Sequence, residues 1–198
     1  MQEFWNDRYK QEEMVYGSEP NVFFKEQLEK LKPGKLLLPA EGEGRNAVFA
    51  ATNGWQVLAF DYSEAGRAKA QKLAEQKGVK LNYEIAEADA YELEAESIDA
   101  IAFIYAHFPP ATRQNLFGKA VKWLKPGGVI ILEAFHPKQL AYTSGGPKDE
   151  AMLYTADMLR SDFKGLRIDL LEEKEIILAE GAYHSGAGYV TRLVATKV

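Results

Sequence analysis

Glycines and carboxylates in the first third of the chain have the spacing of a nucleoside-binding loop. Residues 38–44 read Leu-Pro-Ala-Glu-Gly-Glu-Gly, follow an apolar run and precede a helical pattern. Gly42 and Gly44 allow a sharp turn and a close approach to a ligand, and the helix start offers free N–H groups. Asp61 ends the next apolar run, where a carboxylate can accept hydrogen bonds from both ribose hydroxyls. The pattern predicts a crevice for an adenosine cofactor.

A purely structural interpretation of these residues stays open. Gly42 and Gly44 would then only form a tight turn, and Asp61 would cap the following helix. Residues 87–90, Glu-Ala-Asp-Ala, follow the third predicted strand, where a carboxylate can accept a hydrogen bond from an adenine amino group. The Gly-x-Gly-x-x-Ala spelling also meets the loose dinucleotide pattern, so it does not separate NAD from other adenosine cofactors.

The three histidines are the candidates for proton transfer. His107 follows the fourth predicted strand and is the first candidate for a general base, because the pKa of histidine suits neutral pH. His136, after the fifth strand, is the second, and His184 is interpreted as peripheral or as part of a loop over an acceptor site. Their spacing does not match a zinc site, and the absence of cysteine excludes thiolate metal sites and a cysteine nucleophile. We therefore expect no metal.

Apolar segments alternate with helical patterns from residue 35 onward. This alternation predicts an α/β fold, with a Rossmann-like, doubly wound sheet of seven mostly parallel strands and a C-terminal antiparallel hairpin. Residues 1–34 are predicted to form a helical N-terminal cap on a core of residues 35–198, within one domain. The predicted strands are Leu36–Leu38, Trp55–Phe60, Val79–Ile85, Ile98–Tyr105, Val129–Ala134, Gly165–Leu178 and Ala187–Val198.

Composition excludes several classes of function. The 198 residues carry a net charge of −5, which disfavours binding to nucleic acid phosphates. The longest apolar runs are strand-length, far below the roughly 20 residues that cross a bilayer. The N-terminus has no basic start and no apolar core, so it does not have the pattern of a signal peptide. We expect a cytoplasmic protein with no nucleic acid or membrane partner.

Three later features distinguish the cofactor classes. The α/β unit leaves no separate substrate domain for a hydride-transfer enzyme, and residues 87–90 follow the third strand. The third feature is that residues 125–128 (Lys-Pro-Gly-Gly) precede the fifth strand and an antiparallel hairpin ends the chain. In these features residues 35–198 resemble the class I S-adenosylmethionine (SAM)-dependent methyltransferases. Residues 5–9, Trp-Asn-Asp-Arg-Tyr, and residues 16–21, Tyr-Gly-Ser-Glu-Pro-Asn, resemble the cap of the small-molecule branch. That branch includes the tellurite-resistance and thiopurine methyltransferase-like enzymes.

The resemblance implies a methyltransferase that uses SAM, releases S-adenosylhomocysteine (SAH) and methylates a small molecule by in-line displacement. Soft sulfur, selenium or tellurium nucleophiles are among the acceptors expected, and they need no general base. The aromatic cap residues either line the acceptor pocket or pin the cap to the core. The implied residues are Ala40, Glu41, Gly42 and Gly44 for the methionine part of SAM, Asp61 for the ribose, Tyr62, Asp89 and Ala90 for the adenine, Tyr105 and Ala106 beside the methyl group, and Trp5, Arg8, Tyr9 and Tyr16 in the cap.

The first loop departs from the family pattern at two positions. Leu38 stands where the family has an acidic residue, and Ala40 stands where it has glycine. Alanine is tolerable there if its φ is negative, and Glu41 is positioned to replace the missing acid. These departures keep open a SAM-binding regulatory protein without turnover. The sequence is also compatible with an NAD-binding oxidoreductase, and with a methyltransferase whose acceptor is a macromolecule, a protein in particular.

Overall fold

A seven-stranded sheet organises the protein. The computed structural model describes residues 2–9, 14–181 and 184–198, the side chains of residues 2–5 excepted. The strands are β1 (Lys35–Pro39), β2 (Gln56–Asp61), β3 (Asn82–Ile85), β4 (Ile98–Ile104), β5 (Leu124–Phe135), β6 (Arg167–Ala179) and β7 (Ser185–Thr196). Their order is β3-β2-β1-β4-β5-β7-β6, with β1 to β5 parallel and β7 antiparallel to both neighbours. The predicted fold class is confirmed.

Helices cover both faces of this sheet. They are α1 (Gln2–Tyr9), α2 (Val22–Leu28), α3 (Arg45–Thr52), α4 (Glu64–Gln76), α5 (Pro110–Trp123) and α6 (Ala156–Asp162), with short 3₁₀ turns at Pro137–Ala141 and Glu150–Met152. Leu37 of β1 packs in the core shared with α5 and α6, whereas Leu36 and Leu38 pack in the core shared with α2 and α3. Side chains alternate between the faces of a strand, so a continuous apolar run is what a strand covered on both sides requires.

Two strand starts differ from the predicted ones by three residues or more. The strand predicted from Val79 begins at Asn82, and the strand predicted from Val129 begins at Leu124. The predicted turn at residues 125–128 lies inside the irregular start of β5, where Gly127 has φ +80° and its N–H donates to the Lys197 carbonyl at 2.7 Å. Backbone pairing with the end of the chain therefore extends β5 through residues that local pattern assigns to a turn.

The loop after β1 contains an alanine in a left-handed conformation. Ala40 has φ +53°, which contradicts the expectation that alanine replaces glycine here because φ is negative. An L-residue in this region costs roughly 1–2 kcal/mol. The loop therefore holds backbone strain at the point where it leaves β1.

Gly44 is required for a second reason besides its backbone conformation. It has φ +84° at the N-cap of α3, and an added Cβ would lie 2.4 Å from the Ala70 Cβ and 2.8 Å from the Ala70 Cα of α4. Gly78, at the end of α4, has a similar φ of +69°, but its added Cβ would meet nothing within 4 Å. Of these two glycines, only Gly44 combines left-handed backbone with a close approach between two helices.

We expect Gly44→Ala to destabilise the protein more than Gly78→Ala. Gly78→Ala adds only the backbone strain of about 1 kcal/mol. Gly44→Ala adds the same strain and an overpacking cost of about 1–3 kcal/mol, because α3 and α4 must move apart. Urea unfolding at constant m-value measures both losses. Equal losses for the two variants would show that the contact with Ala70 is not limiting.

Candidate active site

A cavity of about 700 Å³ lies at the carboxyl ends of the parallel strands. The strand order reverses between β1 and β4, and open α/β sheets bind ligands in the crevice at such a point. Loops from β1 to β5, the segment after α1 and the β6–β7 hairpin turn all contribute to its wall. The volume is within the range of about 300–1,000 Å³ that is usual for small-molecule sites.

Glu41 closes the cavity at the N-terminus of α3. Its carboxylate accepts a hydrogen bond from the Ala47 N–H at 2.7 Å, which satisfies one of the unpaired donors of the first helical turn. Burial raises the pKa of Glu41 from its ordinary 4.5 to about 7, although this hydrogen bond and the charge of Arg45 act in the opposite direction. The protein alone thus stabilises the ionised carboxylate poorly.

Asp61, the last residue of β2, lies in the cavity wall, and its carboxylate contacts the loop after β1. Its Oδ2 accepts from the Gly42 N–H at 3.1 Å, and its Oδ1 accepts from the Ser63 N–H at 2.9 Å. Burial raises the pKa of Asp61 from 3.8 to about 6 against these two hydrogen bonds. The carboxylate is therefore fixed in orientation and carries a charge that the protein does not fully compensate.

The other residues proposed for the cofactor divide into two groups. Those in the cavity wall are Ala40, Glu41, Asp61, Tyr62, Asp89, Tyr105 and Ala106, whereas Gly42, Gly44 and Ala90 are outside it. The two glycines shape the loop instead. Asp89 is exposed, and its carboxylate accepts hydrogen bonds from Thr112 and Asn115 of α5. An adenine contact at Asp89 would have to share that carboxylate with α5.

A buried polar junction connects the cavity wall with the N-terminal cap. Asn21 Nδ2 donates to Glu133 Oε1 at 2.7 Å and to Glu180 Oε1 at 2.8 Å. Glu133 also accepts from the Tyr105 hydroxyl at 2.8 Å and pairs with Arg192. One amide therefore joins the cap to β5 and to the hairpin turn.

Glu180 links the hairpin turn to the loop after β1. Arg45 Nη2 lies 2.9 Å from Glu180 Oε2, and Arg45 Nη1 donates to the Tyr16 carbonyl at 3.1 Å. Burial raises the pKa of Glu180, but His184 and Arg45 outweigh burial and hold it at about 2. An ionised Glu180 thus holds the cap, the first loop and the hairpin together over the cavity.

His107 lies in the cavity wall with both ring nitrogens engaged by the backbone. The Phe135 N–H donates to Nε2 at 3.2 Å, so the proton lies on Nδ1, which donates to the Met152 carbonyl at 2.7 Å. Burial lowers the pKa of His107 from 6.5 to about 4. This geometry leaves no free lone pair for proton abstraction, which argues against the role of general base.

His136, the second candidate base, is outside the cavity wall. Its Nδ1 accepts from the Lys138 N–H at 3.0 Å and caps a 3₁₀ turn, and its Nε2 is 3.4 Å from Glu173.

In the cap, Arg8, Tyr9 and Tyr16 line the cavity. The side chain of Trp5 is outside the described residues.

The cavity wall includes one histidine that sequence reasoning ranked last and several residues that it missed. His184 is buried there, with its ring 4.6 Å from that of Tyr16 and 4.5 Å from that of Tyr105. Its Nδ1 makes no hydrogen bond and lies 3.5 Å from Glu180, and burial lowers the pKa of the ring. The missed residues of the wall include Glu43, Arg45, Phe135, Gly146, Pro147, Lys148, Asp149 and Met152. The Gly-Gly-Pro run at residues 145–147 was a usable loop signal after β5.

Comparison with known proteins finds a family match and solved structures of similar fold. Residues 39–128 match the family model described as a methyltransferase domain. This segment is 90 of the 198 residues, so the match shows similarity to a methyltransferase domain over less than half of the chain. No curated protein sequence matches the chain. The matched segment runs from the end of β1 to the start of β5, and so contains the loops that we assign to the cofactor.

Solved structures share the fold at low sequence identity. A protein from a study of the conversion of a disulfide bond into a thioacetal group during echinomycin biosynthesis has 16% identity and a TM-score of 0.79, covering 99% of this chain and 92% of its own. TehB from Haemophilus influenzae has 13% identity and a TM-score of 0.74, covering 100% and 67%. A SAM-dependent methyltransferase from Methanosarcina mazei has 17% identity and a TM-score of 0.67, covering 87% and 96%.

Residues 39–128 are similar to a methyltransferase domain, and the lining of the cavity suits SAM, the cofactor that the resemblance implies. Glu41 and Asp61 are carboxylates whose raised pKa values a cationic ligand would lower, and SAM carries a sulfonium and an ammonium group. Among the described residues no cluster of histidine and carboxylate side chains is arranged to hold a metal ion. No helix in the same part of the chain is long and apolar enough to span a membrane.

Glu41→Gln should gain stability over the ligand-free wild type as the pH rises from 4 to 8. A carboxyl whose pKa rises on folding binds its proton more tightly in the folded state, so stability falls as pH rises from about 4.5 to about 7. The amide keeps an acceptor for the Ala47 N–H and removes that loss, which is on the order of 1–3 kcal/mol. Urea unfolding at pH 4, 6 and 8 measures it, with Glu75→Gln on the exposed face of α4 as the control. Parallel pH profiles for wild type and Glu41→Gln would contradict the expectation.

Proposed function

We propose that the protein transfers the methyl group of SAM to a small molecule through a soft nucleophile such as a thiolate. The carrying observation is that the cap and the hairpin turn both contribute to the wall of the cavity. The Tyr16 and His184 rings meet there at 4.6 Å, and Arg45 ties both segments to the first loop. A concave site of this size favours a small acceptor over a protein surface.

The residues of the cavity assist mainly by positioning and by excluding water. When bound, SAM supplies a methyl group on a sulfonium, whose thioether leaving group is already activated. Holding two reactants in line can contribute on the order of 7–11 kcal/mol. Glu41 and Asp61 are suited to the cationic and ribose parts of the cofactor, while Phe108 and Met152 form apolar wall near the end of β4.

A soft acceptor is favoured by the state of His107. Its two ring nitrogens are bound to backbone groups, so a neutral hydroxyl would not find a base there. A thiolate or a selenium or tellurium anion attacks without losing a proton. Two structural neighbours agree with this choice, since one comes from a study of a reaction at a disulfide and another is the tellurite-resistance protein TehB.

Acceptor choice can be tested with a panel of small nucleophiles. We expect SAH and a methylated product from thiols, and none from phenols or amines of the same size, with mass spectrometry as the readout. For two thiols of different pKa, the pH dependence of kcat/KM should follow the pKa of each thiol. A single profile shared by both thiols would show that a group on the enzyme controls the reaction. Tight binding of SAM without any turnover would favour a regulatory SAM-binding protein.

Asp61→Ala should weaken SAM binding by a factor of about 10 to 100. The change removes hydrogen bonds to a buried ribose, which are worth about 1–3 kcal/mol together. Ser63→Ala is the matched control, because Ser63 Oγ caps α4 by accepting from the Gly66 N–H and is not in the cavity wall. We expect Ser63→Ala to lower stability and to keep the SAM affinity. Calorimetric titration that finds unchanged affinity in Asp61→Ala would exclude the ribose assignment.

A further inference from the structure

The loop that follows β5 forms one wall of the cavity, apart from the residues that we assign to the cofactor. Its residues 146–149 and Met152 line the cavity. In the sheet β5 is next to β4 and separated by β4 and β1 from β2 and β3. If the cofactor occupies the β1–β3 side as proposed, this loop faces the acceptor.

A buried glutamine fixes the first half of this loop. Gln139 Nε2 donates to Ser144 Oγ at 3.0 Å and to the Gly145 carbonyl at 3.1 Å, and Gln139 Oε1 accepts from the Tyr189 N–H at 2.8 Å. Ser144 Oγ in turn donates to the Ala187 carbonyl of β7 at 2.6 Å. The side-chain amide therefore holds the loop against the hairpin.

His107 fixes the second half. Its ring bridges the Met152 carbonyl and the Phe135 N–H, and an added Cβ at Gly146 would lie 2.8 Å from the Phe135 ring. The loop therefore packs against Phe135, and hydrogen bonds fix it at both ends, from Gln139 at residues 144–145 and from His107 at Met152. It presents its exposed side chains to the cavity from a fixed base.

Lys148 differs from the other cations of the cavity wall. Arg45 pairs with Glu180, and Arg8 donates to the Tyr16 hydroxyl. Within the described part of the chain, Lys148 has no hydrogen bond and no ion pair, and it is exposed at the cavity. The neighbouring Asp149 directs its carboxylate to the Ala151 N–H at 3.0 Å.

The charges of the cavity are also unevenly distributed. Glu41 and Glu87 follow β1 and β3, and Asp61 ends β2, all on the side suited to a cation. On the other side, after β5, the wall contains the ammonium of Lys148 and the carboxylate of Asp149, which accepts a hydrogen bond from the Ala151 N–H. The Lys148 ammonium is therefore the group on that side that an anionic ligand would meet.

We propose that Lys148 binds an anionic oxygen group of the methyl acceptor and makes the enzyme selective for anionic acceptors. The group is a carboxylate on an organic thiol or part of an inorganic oxyanion. The proposal depends on the proposed function for the location of the acceptor, but the charge selection can be measured without turnover.

The test compares 3-mercaptopropionate with 3-mercaptopropionamide, which differ mainly in charge. In wild type we expect the carboxylate to have the lower KM. Lys148→Met should raise the KM for the carboxylate about tenfold, as expected for one charge-assisted contact at a partly exposed site. The KM for the amide and the Kd for SAM should not change. Lys164→Met, at an exposed lysine outside the cavity wall, should behave as wild type.

A binding measurement separates this proposal from the proposed function. Calorimetry with the SAH-bound protein gives the Kd of each thiol and of selenite, in wild type and in Lys148→Met. If 3-mercaptopropionate or selenite binds more tightly than the amide, and Lys148→Met removes that difference, the proposal is supported even if no thiol is methylated. Whichever of the two anions binds more tightly then shows whether the anionic group is an organic carboxylate or an inorganic oxyanion. Equal binding of the carboxylate and the amide, no binding of any of the three, or unchanged anion affinity in Lys148→Met would overturn it.

Discussion

A buried carboxylate, Glu133 on β5, and a partly buried one, Glu180 at the hairpin turn, are bridged by one side-chain amide, and the attachment of the cap to the sheet and the hairpin depends on that bridge. Asn21 donates to both carboxylates, while its Oδ1 accepts from the Phe24 N–H and begins α2. A buried carboxylate is tolerated only when it is paired and hydrogen-bonded. Arg192 pairs with Glu133, and Arg45 pairs with Glu180. Moving the cap away from the sheet would leave these charges partly unsatisfied, so the cap, the sheet and the hairpin behave as one unit around the cavity.

The carboxylates of this region fall into two kinds that do different work. The pKa of Glu180 stays well below its ordinary value because His184 and Arg45 outweigh the effect of burial. Glu41 and Asp61 have raised pKa values because the hydrogen bonds they accept do not compensate for burial. The first kind stabilises the architecture. The second kind is better satisfied by a cationic ligand than by the protein itself, which is the physical reason that the loops after β1 and β2 suit SAM.

The position of His107 could be predicted from the sequence, but its hydrogen-bond partners could not. Its position after the fourth predicted strand places it at the edge of the sheet where residues after parallel strands gather, and its ring lies in the cavity wall. Its partners, the Met152 carbonyl and the Phe135 N–H, come from other parts of the chain and turn a candidate base into an anchor for a loop. His184 was undervalued for the same reason. Nothing local to the hairpin turn indicates that it meets Tyr16 and Tyr105, which are about 170 and 80 residues away in sequence.

The sequence by itself determined the alternation of strands and helices, the mostly parallel sheet with its terminal hairpin, the glycine loop and the acid after β2. These features follow from apolar period, turn residues and short-range spacing, which act within a few residues of each other. Tertiary structure alone decided the positive φ of Ala40, the engagement of both His107 nitrogens, and the meeting of Asn21, Glu133 and Glu180. Each of these depends on the partners that folding brings to one point. Hydrogen bonding and burial depend on groups within a few ångströms in the folded protein, and those groups can be far apart along the chain.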